Sequence, residues 1–251
     1  MRSRSIRRDR AARAGPELFL HERAFEDCLE RIGLQRRRFC RALLIGCPDP
    51  EWPTRLRAIA EAVDVRDAGR AFASLGGGST IIEDFWEPAE AAYDLALTIG
   101  MLDTVNDLRL ALRLIRHALN TDALFIGAFS GGDTLPQLRA AVRAADATSG
   151  IAAPHVHPRI EAASLAPLLV EAGFINPVVD IDRVPVSYPS LDRLLGDLRA
   201  MGATNILTAR PRFMGRAARQ AAARAFAAAG DGRSTLETFE ILNFAAWTPG
   251  K

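Results

Sequence analysis

The feature that most constrains the fold of this chain is an alternation of short apolar segments with amphipathic ones over residues 39–129. Short apolar runs that stop at Gly, Asp or Ser are typical of buried strands, and apolar residues three or four apart are typical of helices. The predicted strands are RALLIG (41–46), VDVRD (63–67), STIIED (79–84), YDLALTIG (93–100) and DALFIGAFS (122–130). Helices are predicted at EWPTRLRAIAEA (51–62) and VNDLRLALRLIRHAL (105–119). The pattern indicates an α/β fold, an open and mostly parallel sheet with helices on both faces.

The second half of the chain adds helices and the last strands. Helices are predicted over 133–146, with Asp133 as N-cap, over 161–173, ending at Gly173, over 190–202, with Ser190 as N-cap, and over 216–230. Residues 174–189 form one long strand or two short ones, and residues 235–249 form a last strand. We therefore expect a basic arm and helix over 1–38, and a single domain over 39–251. That domain has about seven strands, with helical lid elements at about 133–172 and 190–228.

Ligands of such sheets collect beyond the carboxyl ends of the strands. This geometry alone predicts where a site lies. The candidates are Gly46 onward, Asp67, the acidic pair Glu83 and Asp84, residues 98–103, and residues 130–134.

Composition excludes some classes of protein. The net charge of +2 gives no indication of nucleic-acid binding, and no apolar run approaches the roughly 20 residues that span a bilayer. Three cysteines, Cys28, Cys40 and Cys47, form no CxxC motif and favour a reducing cytoplasm. The first 14 residues carry six arginines and one acid. We interpret them as a frayed, solvated terminus; contact with an acidic partner and an organelle-targeting peptide are the alternatives.

Several segments carry a family resemblance: LDTVNDLRLALRLIRHALNTDALFIGAFSGGDTLPQLR (102–139), PHVHPRI (154–160), residues 172–205 with YPSLDRLLGDLRAMGATN, and FEILNFAAWTP (239–249). In them the chain resembles the class I S-adenosyl-L-methionine (SAM) dependent methyltransferases. Its closest resemblance is to the methyltransferase-like assembly factors of respiratory complex I and their bacterial relatives. The biotin-pathway carrier-protein methyltransferases resemble it more distantly. The likeness covers residues 40–250, and its second half is the more specific.

The resemblance implies a Rossmann-like methyltransferase fold and SAM as cofactor. It places Ile45, Gly46 and Cys47 at the first cofactor loop. In the family the first strand ends in an acid and a Gly-x-Gly type of turn, whereas Leu44 and Pro48 stand near those positions here. Proline lacks an N–H and fixes φ, so the cofactor is expected to bind weakly or not at all.

The resemblance also assigns roles after the next strands. Asp67, or Asp64 if the strand ends earlier, would hold the two ribose hydroxyls; a plain helix N-cap is the alternative interpretation of Asp67. Glu83 and Asp84 would lie at the adenine pocket; a solvated loop is their alternative.

At the end of the fourth predicted strand, Thr98, Ile99 and Gly100 would let the sulfonium face its substrate. The candidate catalytic residues are Asp103, Asp133 and Tyr188, of which Tyr188 is interpreted mainly as a packed side chain. His155 and His157 stand two apart on a loop, but no third ligand stands at a suitable spacing, so no metal is predicted.

Three functions remain open at this stage. The first is a SAM-dependent methyltransferase acting on an unknown small-molecule or protein acceptor. The second follows the complex I branch, whose eukaryotic member is described as an arginine hydroxylase: a protein that modifies or chaperones a respiratory-complex subunit. The third is a non-catalytic scaffold with a degenerate SAM site. The expected location is the bacterial cytoplasm, with a partner bringing the chain to the inner membrane under the second hypothesis.

Overall fold

The computed structural model describes residues 2–150, 153–207 and 214–250, which form one seven-stranded sheet with helices on both faces. The strands are β1 (Phe39–Ile45), β2 (Ala60–Asp67), β3 (Ser79–Thr80), β4 (Tyr93–Ile99), β5 (Leu119–Ser130), β6 (Ile175–Tyr188) and β7 (Thr235–Trp247). Their order in the sheet is β3-β2-β1-β4-β5-β7-β6. The first five strands are parallel, while β7 pairs antiparallel with both β5 and β6. The predicted fold class is confirmed.

The helices in these ranges are α1 (Arg2–Ala14), α2 (Phe19–Gly33), α3 (Trp52–Leu56), α4 (Arg70–Leu75), α5 (Leu108–Ala118), α6 (Pro136–Ser149), α7 (Ala162–Glu171), α8 (Leu191–Ala200) and α9 (Arg216–Ala228). A short 3-10 helix covers Leu102–Thr104. No helix in the part of the chain that the structure describes combines the length and apolar character needed to cross a membrane.

Each face of the sheet buries its own apolar layer. On one face α5 and α7 pack against the central strands, with Leu112 and Leu165 in contact with that layer. On the other face α2 and α3 cover β1 and β4, where Phe25 and Trp52 stack with ring centroids 4.2 Å apart. A third layer joins α6, α8 and α9 to β7 around Phe239. The strands that flank the site are therefore held rigidly on both faces.

Three predicted elements differ in detail. The predicted helix 51–62 ends at Leu56, and Ala60 already belongs to β2, because the N–H of Phe39 bonds the carbonyl of Ile59 and opens the parallel pairing. The predicted strand 79–84 keeps only its first two residues as β3. The predicted N-cap Asp133 is wrong: α6 begins at Pro136 after Leu135, which has φ +60° and makes no side-chain cap.

Two predicted helix ends and one strand agree with the structure. Gly173, with φ +93°, follows α7, and the Ser190 hydroxyl accepts a hydrogen bond from the N–H of Arg193 at 3.2 Å. The predicted segment 174–189 contains one long strand, Ile175–Tyr188, rather than two short ones.

The interpretation of the N-terminus as a frayed, solvated arm is wrong. Residues 2–14 form α1, which packs against α4 and α8 and buries the side chain of Arg8. The alternative interpretation, contact with acidic groups, agrees better with the structure, but these acids belong to the same chain and not to a partner.

Candidate cofactor and acceptor site

The first loop turns sharply at Gly46, where β1 meets the ends of β2 and β4. Gly46 has φ +89°, and a Cβ at this position would lie 2.5 Å from the carbonyl oxygen of Ile99. Its N–H bonds the carbonyl of Arg66 at 2.8 Å, and the N–H of Cys47 bonds Asp67 at 2.9 Å. Pro48, which is buried, has no N–H to offer. The backbone N–H groups of residues 46 and 47 are therefore already hydrogen-bonded within the protein.

Asp67 is the fully buried acid at the end of β2. Its carboxylate accepts four hydrogen bonds, from Arg8 Nε at 2.7 Å, Arg8 Nη2 at 2.5 Å, Cys47 N at 2.9 Å and Gly69 N at 2.7 Å. The N-cap of α4 is Gly69, so Asp67 is not the cap of that helix. Burial alone would lower the pKa of Arg8, but the Asp67 carboxylate raises it above its ordinary value. Arg8 is therefore a permanent cation held on this acid.

Asp64, the alternative ribose acid, lies elsewhere. It is half-buried and three residues before the end of β2, where it pairs with Arg41 at 2.7 Å and accepts from the Tyr93 hydroxyl at 2.8 Å. Of the two acids, the structure brings only Asp67 to the loop at Gly46 and Cys47.

Glu83 and Asp84 are buried, so their interpretation as a solvated loop is wrong. Glu83 receives both terminal nitrogens of Arg4, at 2.6 and 2.8 Å, and burial raises its pKa although the Arg4 guanidinium opposes this. Asp84 accepts a hydrogen bond from the N–H of Asp107 at 2.9 Å. Both acids line a cleft of about 1040 Å³ that also includes Trp86.

The end of β4 opens toward a second, smaller cavity. Ile99 and Gly100 line it, whereas Thr98 is fully buried within the sheet and lines neither cavity. Asp103 borders both cavities and forms a buried ion pair with Arg159, whose pKa is lowered by burial to about 10. Arg159 Nε and Asp103 Oδ1 have no hydrogen-bond partner among the described residues. Asp103 thus stands where the two cavities meet.

His21 also lies at this junction, on α2. A Cβ added to Gly100 would lie 2.8 Å from His21 Nε2, and the imidazole borders the smaller cavity. Burial, and then the positive charge of Arg8, lowers the pKa of His21 to about 4. The ring is therefore neutral at pH 7, and its Nδ1 has no hydrogen-bond partner in the ranges described.

Other candidates lie apart from these cavities. Asp133 is largely exposed and 3.4 Å from Arg183. Tyr188 is buried against Phe239 and lines neither cavity, and burial raises its pKa.

The two loop histidines are separately engaged. The His155 ring is 2.7 Å from Asp146, and His157 Nδ1 is 2.7 Å from the carbonyl oxygen of Pro158. No group of three or more metal-ligating side chains occurs within 2–150, 153–207 and 214–250.

Reasoning from sequence missed four side chains of the site: Arg4, Arg8, His21 and Arg159. One signal was available. Arg4 and Arg8 stand four residues apart, which places both on one face of a helix. The acids they meet lie 79 and 59 residues further along the chain, and no local pattern connects them.

The seven-stranded, mostly parallel sheet with flanking helices is that of the Rossmann-like methyltransferase fold. The YcgJ protein of Bacillus subtilis has this fold with a TM-score of 0.62 and 10% identity, over 90% of this chain and 99% of that one. Phosphoethanolamine N-methyltransferase 2 of Haemonchus contortus, solved with S-adenosyl-L-methionine, gives a TM-score of 0.52 and 12% identity. That match covers 90% of this chain and 52% of the Haemonchus chain.

Sequence relatives confirm the family resemblance drawn from the motifs. The mitochondrial arginine hydroxylase NDUFAF5 of Danio rerio is 36% identical over 170 residues, 66% of this chain and 53% of that protein. The malonyl-[acyl-carrier protein] O-methyltransferase of Xylella fastidiosa is 33% identical over 163 residues, 64% and 54% of the two chains. The chain thus spans about half the length of the curated relatives it matches. No family model matches it.

Proposed function

We propose that this protein is a SAM-dependent methyltransferase that holds its cofactor across the carboxyl ends of β1, β2 and β4. The observation that carries the proposal is the convergence of Asp67, Glu83 and Gly100 at one edge of a methyltransferase sheet. The Haemonchus enzyme, which shares the fold, was solved with this cofactor.

The ribose and adenine parts of the cofactor fit the residues present. The two oxygens of Asp67 already accept two parallel donors from Arg8, and a ribose offers two adjacent hydroxyl donors of the same kind. Glu83 and Asp84 line the large cleft beside Trp86, where a carboxylate would accept an exocyclic amine and an indole would contact the base.

The methionine part fits less well. The N–H groups of Gly46 and Cys47 are bonded within the protein, and Pro48 has none. A cofactor loop normally directs such donors toward its ligand. This supports weak binding, with the affinity coming mainly from the ribose and adenine contacts.

When bound, the cofactor would supply a methyl group carried on a sulfonium. Such transfer depends chiefly on aligning the acceptor atom with the methyl carbon and the sulfur, so no strong acid or base is required of the protein. Ile99 and Gly100 would form the floor on which the acceptor meets the methyl group. Asp103 Oδ1 would accept a hydrogen bond from the acceptor's O–H or N–H and hold it in line.

The direct test is calorimetric titration of the full chain with SAM and with its demethylated product. Binding of either ligand at micromolar to millimolar concentration is expected, with loss of binding in Asp67→Ala. Asp64→Ala is the matched control, since it removes an acid from the same strand outside the loop. Absence of heat and of thermal shift with the wild-type chain at millimolar ligand would refute the proposal.

A protein-borne acceptor is the second proposal, and the relatives support it. Those with 36% and 33% identity are named for arginine hydroxylation and for methylation of malonyl-[acyl-carrier protein]. On this proposal the chain acts in the bacterial cytoplasm on a subunit of a respiratory complex, which would bring it to the inner membrane. Incubation with a candidate subunit followed by intact-mass analysis distinguishes an added methyl group from an added oxygen. An unmodified subunit that still co-purifies would indicate a chaperone or scaffold instead.

A further inference from the structure

The N-terminal helix α1 lies directly on the two acids assigned above to the cofactor. Arg8 bonds Asp67 and Arg4 bonds Glu83, each through two nitrogens. We propose that α1 is a strap that occupies the ribose and adenine part of the cofactor site, and that it must leave Asp67 before the cofactor binds. The inference rests on the proposed function, because it concerns competition for the same carboxylates.

The competition follows from the number of acceptor positions on Asp67. A carboxylate offers about four lone-pair sites, and all four are used here. Two of the donors, the N–H groups of Cys47 and Gly69, belong to the backbone that forms the site and stay in place. A pair of ribose hydroxyls can therefore reach Asp67 only in place of the Arg8 guanidinium.

The position of Arg4 and Arg8 relative to the two cavities supports the same conclusion. Arg4 and Arg8 border the smaller cavity, and Arg4 also borders the large cleft, so Arg4 stands between two spaces that a cofactor would join. The Arg8 side chain is 5% exposed, and its guanidinium lies 4.9 Å from the centre of the Phe72 ring. A Cβ at Gly69 would lie 2.7 Å from the Cβ of Arg8, so α1 seats close to the backbone of the site.

Several of the contacts that hold α1 are hydrogen bonds and ion pairs, which a ligand with its own donors can replace. Ala11 is its one fully buried apolar side chain among the described residues, whereas Ile6 is 46% exposed. Its polar attachments include, besides the two arginine–acid pairs, a bond from the N–H of Ala71 to the Asp9 carboxylate at 2.9 Å. α1 therefore contributes few buried apolar side chains of its own, and we expect much of the free-energy cost of releasing it to lie in the two arginine–acid pairs. A ligand that offers new donors to those acids offsets part of that cost.

The strap should lower the apparent affinity for cofactor by the fraction of molecules in which α1 is released. Replacing Arg8 removes the competitor without altering Asp67. We expect Arg8→Gln to bind the demethylated product about tenfold more tightly or better, the reverse of the usual effect of a substitution in a binding site. Arg10→Gln is the control, because Arg10 is on the same helix, carries the same charge and is exposed.

The experiment is calorimetry of wild type, Arg8→Gln and Arg10→Gln with S-adenosylhomocysteine, together with hydrogen–deuterium exchange of the wild type. Tighter binding by Arg8→Gln alone, and faster exchange over residues 2–14 when ligand is added to wild type, support the strap. The exchange measurement needs no variant, so it stands even if Arg8→Gln folds poorly.

The opposite results overturn the proposal and leave the proposed function intact. One such result is that Arg8→Gln binds the ligand no more tightly than the wild type does. The other is slower exchange of α1 when ligand is added, which would mean that the helix closes over the cofactor. If no variant binds and α1 does not respond to ligand, the cofactor assignment itself fails, and the competition fails with it.

Discussion

Replacing Asp67 by Asn tests the energetics of the site without using any ligand. The change keeps the shape of the side chain but removes the charge that faces Arg8. It also turns one acceptor oxygen into an NH₂ group, which would face a donor of Arg8 and, in addition, the N–H of either Gly69 or Cys47. The Arg8 cation, 5% exposed, loses the acid that compensates for its burial.

Breaking a buried ion pair by removing one partner typically costs about 3–5 kcal/mol. We expect the lower end, about 3 kcal/mol, because α1 can undock and return Arg8 to water, which caps the loss at the docking free energy of that helix. For a domain of this size that corresponds to a fall in Tm of roughly 6–12 °C.

Urea unfolding followed by far-UV circular dichroism, with a parallel thermal scan, measures this loss. The control is Asp64→Asn, whose half-exposed pair with Arg41 should cost about 1 kcal/mol or less. The double variant Asp67→Asn with Arg8→Gln should regain part of the loss, since no buried cation is left uncompensated. A loss below about 1 kcal/mol for Asp67→Asn would refute the buried pair as described.

Three further predictions concern neighbours of the site. Because the pKa of His21 is about 4 in the folded chain and 6.5 in its ordinary state, the unfolded state binds the proton first as the pH falls. Stability should therefore drop by about 3 kcal/mol between pH 6.5 and 4, and His21→Gln should flatten that slope in urea titrations. Burial, and then the charge of Asp67, raises the pKa of Cys47 to about 12. Iodoacetamide at pH 8 should therefore modify the exposed Cys40 first, and peptide mass spectra should show Cys28 and Cys47 protected. Preferential labelling of Cys47 would contradict its burial. Gly46→Ala should lower the free energy of unfolding by about 2 kcal/mol or more in the same assay, because Gly46 has φ +89° and a Cβ there would clash with the carbonyl oxygen of Ile99. A neutral effect would mean that the turn is not as tight as described.

The sheet was predictable because each strand carries its own signal. Residues 42–45 are wholly apolar and residues 95–99 nearly so, and a glycine follows each run, as expected of parallel strands buried on both faces. The start of β2 was missed because Ala60, Glu61 and Ala62 favour helices, and the parallel pairing to β1 overrides that preference. The predicted third strand was too long because Glu83 and Asp84 turn inward to meet partners from other segments.

The candidate site was predictable only in part, and the reason is sequence distance. Asp67, Glu83 and Gly100 follow strands, so the topology alone gathers them at one edge of the sheet. Arg8 and Arg159 reach the same place through tertiary packing of segments that carry no strand pattern. The arginine-rich composition of residues 2–13 is also that of a solvated arm, and only the acids that α1 meets distinguish the two.

The position of β7 in the sheet has a consequence for how the chain assembles. β7 separates β5 from β6, yet it follows both in sequence, so β5 keeps an unpaired edge of up to 12 residues until residues 235–247 are available. A long apolar edge of this kind is a template for pairing between molecules. During synthesis the growing chain would therefore expose the unpaired edge of β5 until its last strand has been made. Slow or truncated translation should thus favour aggregation over folding.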